Sequence, residues 1–386
     1  MFRANPSHTG AGTGSPVLSP KLLWKFTTGN IVASSPAVVN GVVYVGSGDD
    51  NVYALNATNG KLLWNYTTGG PVYSSPAVIN GVVYIGSYDD KVYALNAATG
   101  ARIWNYSTLG PVVSSPDVAN GVLYIGSEDS NVYALNVSDG AKLWNYTTGG
   151  AVDSSPAVAY GMVYVGSDDG NVYGLNATDG AYVWNRPTGP IFVWSSPTVV
   201  NGVVYVGSDN DNFYALNATT GLQIWYYPTL GDVGSSPAVA GEVVYIGSDD
   251  NNVYALNAAS GAKIWNYTTK LYVGSSPAVV DGVVYVGSYD NSVYALNTKN
   301  GIQLWKYATG GHVASSPAVV DGAVYVGSFD GEVYALVGSP TSVTSSDALF
   351  IVVGIVALVV VITVAVLLMF RRKLKPRRRQ PIFTSF

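Results

Sequence analysis

Apolar and polar residues alternate along this chain in short runs, and the runs return every 40 positions. One copy reads SSPAVV, then GVVYVGS, NVYALNA and KLLWNYT, separated by Asn40-Gly41, Asp49-Asp50 and Asn59-Gly60. Val and Tyr favour strands, and Asn-Gly favours tight hairpin turns with left-handed backbone. No 3.6-residue periodicity competes with this pattern before residue 348. Four antiparallel strands in each repeat predict the blades of a β-propeller.

Three residue series keep the beat. Trp24, Trp64, Trp104, Trp144, Trp184, Trp225, Trp265 and Trp305 form the first. Ser-Ser-Pro forms the second, with prolines from Pro36 to Pro317, and tyrosines from Tyr53 to Tyr334 form the third. The chain opens with an outer-strand segment, KLLWKFT, and its last repeat stops at GEVYALV, before an outer strand. Residues 21–27 are therefore expected to complete the last blade, closing an all-β ring of eight four-stranded blades over residues 21–337. A solenoid is disfavoured because the end repeats are no more polar than the middle ones. The tryptophans are expected to dock between blades, with a partner for each indole N–H. Ser-Ser-Pro is expected to lead into the inner strand.

ALNATNGKLLW (Ala54–Trp64) resembles the tryptophan-docking repeat of pyrroloquinoline-quinone-type (PQQ-like) propellers, and the opening MFRANPSHTG is similar to the leader often found before such repeats. The resemblance spans residues 2–337. It implies the propeller fold. The family's members include quinone-dependent dehydrogenases, a lipoprotein of the outer-membrane barrel-assembly machinery, sensor domains and surface proteins, so it leaves the activity open. Its dehydrogenases hold a planar quinone on the propeller axis with calcium, an aromatic floor and a vicinal disulfide. This chain has no cysteine and no long inserted loops. It therefore resembles the family's surface and assembly-factor propellers more than its enzymes.

After the repeats, the expected order is a leader at 1–20, the propeller, a short Gly/Ser-rich stalk at 338–347, a transmembrane helix at 348–370 and a basic tail at 371–386. Ala348–Phe370 contains 23 uncharged residues, enough for a helix to span a bilayer. Seven Lys or Arg follow it, which predicts a cytoplasmic C-terminus and an extracellular propeller. Residues 1–20 have no apolar core of a signal peptide, so export implies a signal upstream of Met1. Eight sequons, at Asn56, Asn65, Asn105, Asn136, Asn145, Asn176, Asn217 and Asn266, are glycosylation candidates on such a surface. A tail-anchored scaffold facing the cytoplasm is the alternative topology.

Charge excludes some chemistry. The net charge is −5, and the part before the tail holds 12 basic residues against 24 acidic ones, which opposes nucleic-acid binding. Two histidines, His8 and His312, cannot build a histidine-rich metal centre, and no nucleophile-elbow motif surrounds His312. Gly-Ser-x-Asp recurs between the second and third strands, at Asp49, Asp89, Asp129, Asp169, Asp250, Asp290 and Asp330, with Asn210 breaking the series. Asp suits such turns structurally. Isolated turns lack the clustered ligands of a calcium loop, so no metal site is expected, only a negative face able to attract cations or a basic partner.

Variation among the repeats marks candidate contacts. The residue before Ser-Ser-Pro runs Ala33, Tyr73, Val113, Asp153, Trp194, Gly234, Gly274, Ala314, and Phe192, Asp232, Tyr272 and His312 vary beside it. One extra residue falls between Trp184 and Pro197, a segment that also carries Arg186. Tyr73, Asp153, Arg186, Trp194, Tyr272 and His312 are expected to form a binding surface at one mouth of the channel. The expected function is a non-catalytic, membrane-anchored surface scaffold without a cofactor, whose partner is an envelope protein or a surface glycan. A PQQ- and calcium-dependent dehydrogenase of alcohols or sugars is the enzymatic alternative.

Overall fold

The computed structural model describes residues 8–12 and 15–338, and they form an eight-bladed propeller. Each blade pairs its strands antiparallel in chain order. The first blade runs Ala37–Val39, Val42–Gly46, Asn51–Asn56 and Leu62–Thr67 from the axis outward. The Asn40-Gly41 turn has φ of 51° and 75°, the left-handed pair that a two-residue hairpin needs. In the eighth blade the outer strand is Pro20–Thr27, which pairs with Glu332–Gly338 with Trp24 opposite Ala335. Closure by the N-terminal strand is as the sequence predicts, and it leaves no open blade edge at the seam.

Every outer strand carries a β-bulge one residue before its Trp, as between Leu62 and Trp64. Because the bulge turns two successive side chains outward, the Trp faces in while Leu63 lies half exposed. The buried indoles lock neighbouring blades together. Each Nε1–H donates across the interface to a backbone carbonyl, at 2.6–3.1 Å, from Trp24 to Ala57, Trp64 to Ala97, and so around the ring. Gly60 explains why the Asn-Gly turn is needed there. Its φ is +69°, and a Cβ would lie 2.7 Å from the Trp24 ring.

At the seam the eighth carbonyl comes from outside the repeats. Trp305 donates to the Val17 carbonyl, and the Val17 N–H donates to the Tyr285 hydroxyl at 2.7 Å. The leader thus plugs the one interface that lacks a following turn. Upstream, Thr9 and Gly10 accept from the inner-edge amides of Val239 and Val279, and Ala11–Gly12 pairs parallel with Val279–Val280. It occupies one arc of the channel, beside a cavity of about 300 Å³ lined by Gly10 and Ala11 and by the inner segments of the seventh, eighth, first and second blades.

Ser-Ser-Pro lies just before each three-residue inner strand. The second serines close a ring: Ser35 N–H donates to Ser75 Oγ, and the series returns with Ser316 N–H to Ser35 Oγ, all at 2.9–3.1 Å. Small hydroxyls satisfy backbone where eight blades converge and no larger side chain fits.

One part of the expected architecture is corrected. The described residues form strands and turns with no helix, and none is long and apolar enough to cross a membrane. Their apolar runs are spent on blade packing. The expected span at 348–370 and basic tail at 371–386 lie outside the described residues, as does the expected stalk except Gly338, which ends a strand. The transmembrane helix, the single-pass topology with an extracellular propeller and cytoplasmic C-terminus, and attachment to a membrane through residues 348–370 are accordingly withdrawn.

Candidate functional site

The Gly-Ser-x-Asp turns and the loops before Ser-Ser-Pro meet on one face of the ring. The backbone N–H at the x position donates to a loop carbonyl in every blade, from Gly48 to Ile31 through Phe329 to His312, at 2.8–3.1 Å. This bond fastens two variable segments side by side. Tyr73, Asp153, Trp194, Tyr272 and His312 all lie on these loops, so the structure brings five of the six expected contact residues to one mouth. Arg186 is elsewhere. It lies on the outer strand Tyr182–Pro187, and its Nη2 donates to Gln223 Oε1 at 2.9 Å on the next blade's rim. Of the sequon asparagines, Asn65, Asn105, Asn145 and Asn266 are exposed on outer strands, whereas Asn56, Asn136, Asn176 and Asn217 end third strands and are partly buried.

The repeated Asp of these turns is committed internally. Its Oδ2 accepts from a backbone N–H twenty residues earlier, at 2.5–3.3 Å. It also accepts from the tyrosine hydroxyl four residues later, as in Asp129–Tyr133 at 2.6 Å and Asp89–Tyr93. Burial opposes ionisation of Asp49, Asp169 and Asp290, but these hydrogen bonds outweigh it and hold the carboxyls below their ordinary range. Burial and the adjacent charge push Tyr53, Tyr133 and Tyr294 upward. Asn210 has a physical reason. The extra residue in this loop leaves Gly189 (φ +149°) at the donor position, and in place of that N–H contact Asn210 Nδ2 donates to the Thr188 carbonyl and to Tyr214 Oη. The negative face expected from these aspartates is therefore carried by other residues.

Those residues occupy the x position: Gly48, Tyr88, Glu128, Asp168, Asp209, Asp249, Tyr289 and Phe329. Sequence reasoning passed over them. The available signal was a position that takes five residue types over the eight blades while the Ser before it is fixed and the Asp after it changes once. With the loop residues they divide the mouth. Glu128, Asp153, Asp168, Asp209, Asp232 and Asp249 form an acidic arc across the third to sixth blades. Burial, then Asp168 and Glu128, push Asp153 up to about 7. Burial, then Asp232, Asp249, Asp168 and Asp211, push Asp209 up to about 7.

Aromatic rings fill the flanks. Tyr73 and Tyr88 meet edge to face with centroids 5.3 Å apart, and Tyr88 is raised to about 12 by burial and then by Glu128. Tyr289 stacks on His312 at 5.1 Å and also contacts Tyr272 and Phe329, while His312 Nδ1 bonds the Tyr289 carbonyl. Phe192 and Trp194 stack at 5.3 Å with planes 8° apart, each about half exposed. Asp117, also missed, replaces the usual inner-strand Ala in the third blade. Its oxygens accept from the Val118 and Val158 amides at 2.8 and 3.2 Å, and burial raises it to about 8 despite them.

Among the described residues, no group of three or more His, Cys, Asp or Glu is arranged to hold a metal ion. No curated protein matches the sequence. Solved structures show the same fold. BamB from Moraxella catarrhalis is 22% identical, with 82% of this chain and 99% of that one covered and a TM-score of 0.72. The computationally designed Ika8 protein is 15% identical over 83% and 99%, with a TM-score of 0.73. A europium-containing methanol dehydrogenase is 15% identical over 87% and 97%, with a TM-score of 0.75. Assembly factor, design and enzyme share one scaffold, so these likenesses carry the fold and no activity. The family described as outer membrane protein assembly factor BamB matches residues 18–115, 76–190, 107–228, 188–272 and 270–342, and with nearly the whole propeller covered the chain belongs to this family of PQQ-like repeat propellers.

Proposed function

We propose that this protein is a non-catalytic scaffold that binds a polypeptide of the cell envelope through the loop mouth. One observation carries the reading. The positions that build the ring are nearly constant among the blades, while five of the six singled-out positions that differ, all but Arg186, lie on one face. Tyr73, Asp153, Trp194, Tyr272 and His312 are the proposed contacts, joined by Tyr88 and Asp209 from the x positions. A closed ring holds these side chains in place before binding, which lowers the entropy lost on association. Half-exposed aromatic side chains beside carboxylates are the usual anchors of protein recognition. Membership of an assembly-factor family favours a polypeptide over a small substrate. The chain also lacks the cysteines that a vicinal disulfide cover requires.

The test is capture from a solubilised envelope extract of the source organism, with the wild-type chain and with a Tyr73→Ala, Trp194→Ala, Tyr272→Ala variant. A polypeptide retained by the first and lost from the second is the expected result. Retention by both, or by neither, sinks the mouth as the site. Loss after enzymatic deglycosylation of the extract would favour a surface glycan. Quinone- and calcium-dependent turnover of an alcohol would replace the reading with an enzyme.

A further inference from the structure

We infer that the acidic arc is a receptor for a guanidinium group, so that the partner is engaged through an arginine side chain seated between Asp168, Asp209 and the Phe192–Trp194 pair. This rests on the reading of the mouth as a polypeptide-binding face and names what that face recognises. Asp209 is the pivotal observation. Its residue is 8% exposed, and its Oδ1 is buried without a hydrogen-bond partner. The Oδ1 atoms of Asp153 and Asp168 are likewise buried and unpartnered. Burying a carboxylate costs free energy unless a donor or cation meets it.

Among the described residues no cation does so. The three ion pairs among the described residues are Lys25–Glu332, Lys91–Asp89 and Lys306–Asp290, all outside the arc. The charges that act on Asp209 are those of other carboxylates: Asp232, Asp249, Asp168 and Asp211. Natural folds do not gather like charges for stability, so the arrangement points to a positive group supplied from elsewhere. A metal ion does not fit, because no cluster with ligating geometry is present among the described residues.

Two features choose guanidinium over ammonium. The stacked Phe192 and Trp194 rings, 8° from parallel and 44% and 48% exposed, present a flat aromatic shelf at the edge of the acids. A planar guanidinium stacks on such a face while its N–H fork reaches carboxylates, whereas an ammonium is a hydrated point charge. Burial raises the Asp168 carboxyl and the neighbouring Trp194 side chain acts against that rise, so the shelf lies beside the acid. The inserted residue between Trp184 and Pro197 falls in this loop, where one blade departs from the repeat.

Trp194 makes the test direct, because the eight tryptophans of the repeat series are at most 9% exposed and fluoresce from a buried setting. The probe is the peptide acetyl-Gly-Arg-Gly-amide, titrated against the full chain and read by tryptophan emission and calorimetry. Its controls are the same peptide with citrulline, which keeps shape and loses charge, and with lysine. Saturable binding of the arginine peptide is expected, weaker by about tenfold or more for citrulline and in Asp209→Asn or Trp194→Ala chains. Asp139→Asn, in a turn between third and outer strands, should leave it unchanged. Affinity should rise from pH 6 to pH 8 as Asp153, faced by Asp168, Glu128 and Tyr88, and Asp209, faced by Asp232, Asp249, Asp168 and Asp211, lose their protons. Equal affinity for arginine and citrulline, or no saturable binding, overturns the inference. A lysine peptide as tight as the arginine peptide overturns the guanidinium assignment. If an envelope polypeptide is still captured through Tyr73, Trp194 and Tyr272 in that case, the scaffold reading stands and only the arginine receptor falls.

Discussion

Glu128 and Asp129 are neighbours in one turn, and their side chains do opposite things. Asp129 points into the blade, where its Oδ2 accepts from the Leu109 amide and the Tyr133 hydroxyl at 2.8 and 2.6 Å. Glu128 faces the mouth, where its charge acts on Tyr88 and Asp153. The same split runs through the whole molecule. Trp144 is 8% exposed and bonded across a blade interface, while Trp194, the one tryptophan off the beat, is 48% exposed on a loop. A repeat copied eight times fixes the residues that the ring needs and leaves the mouth free to vary. Recognition is therefore sought where the copies differ.

The sharpest break between the two regions is expected at the tryptophans. Trp144→Ala removes a buried ring and its hydrogen bond and should cost about 3–5 kcal/mol of stability. Trp194→Ala should change stability by less than about 0.5 kcal/mol. Chemical denaturation monitored by circular dichroism checks both, and comparable losses would erase the distinction. Gly140→Ala sharpens it. The φ of +73° and a Cβ only 2.7 Å from the Trp104 ring should destabilise by about 1–3 kcal/mol. Gly234→Ala, in a mouth loop with nothing within 4 Å, should be nearly neutral.

The framework was legible because repetition exposes it. Eight copies of Trp, Ser-Ser-Pro and Asn-Gly within one chain separate what packing demands from what it tolerates. The seam closure at Trp24 followed from which strand each end of the chain lacks. Half of the mouth was legible for the same reason inverted, since Tyr73, Asp153, Trp194, Tyr272 and His312 break the pattern. Arg186 breaks it too but lies on an outer strand, and one-residue alternation there sends it to the rim. Three things stayed hidden. The x positions were masked by the fixed Asp beside them, whose charge drew the eye although hydrogen bonds consume it. The leader's role at Val17 depends on a carbonyl 288 positions from its tryptophan partner. Asp117 reads as drift until its backbone partners in two blades are seen.

A milder contrast lies within that single turn. Tyr133→Phe removes the hydroxyl that holds Asp129 and should cost about 1–2 kcal/mol, with hydrogen exchange of the turn amides rising. Glu128→Gln should leave both unchanged. If the two substitutions behave alike, the inward and outward halves of the turn are not independent.

The last contrast is a pH dependence of stability, and its sign separates the two regions again. Asp153 and Asp209 at about 7 and Asp117 at about 8 keep protons in the fold that the unfolded chain has already released. Stability from these groups is complete below the ordinary carboxylate range, near pH 4, and declines as pH rises through 7 and then 8. Asp49, Asp169 and Asp290 have lowered pKa values, so their contribution is present above that range and lost as pH falls below it. The melting temperature should therefore peak near pH 4, falling on the acid side through the framework and on the alkaline side through the mouth and channel. Asp153→Asn with Asp209→Asn should remove the decline near pH 7. Asp117→Ala, which restores the residue of most other blades, should remove the one near pH 8. An alkaline limb that survives all three substitutions would mean that other groups set it and that these carboxyls do not hold the protons assigned to them.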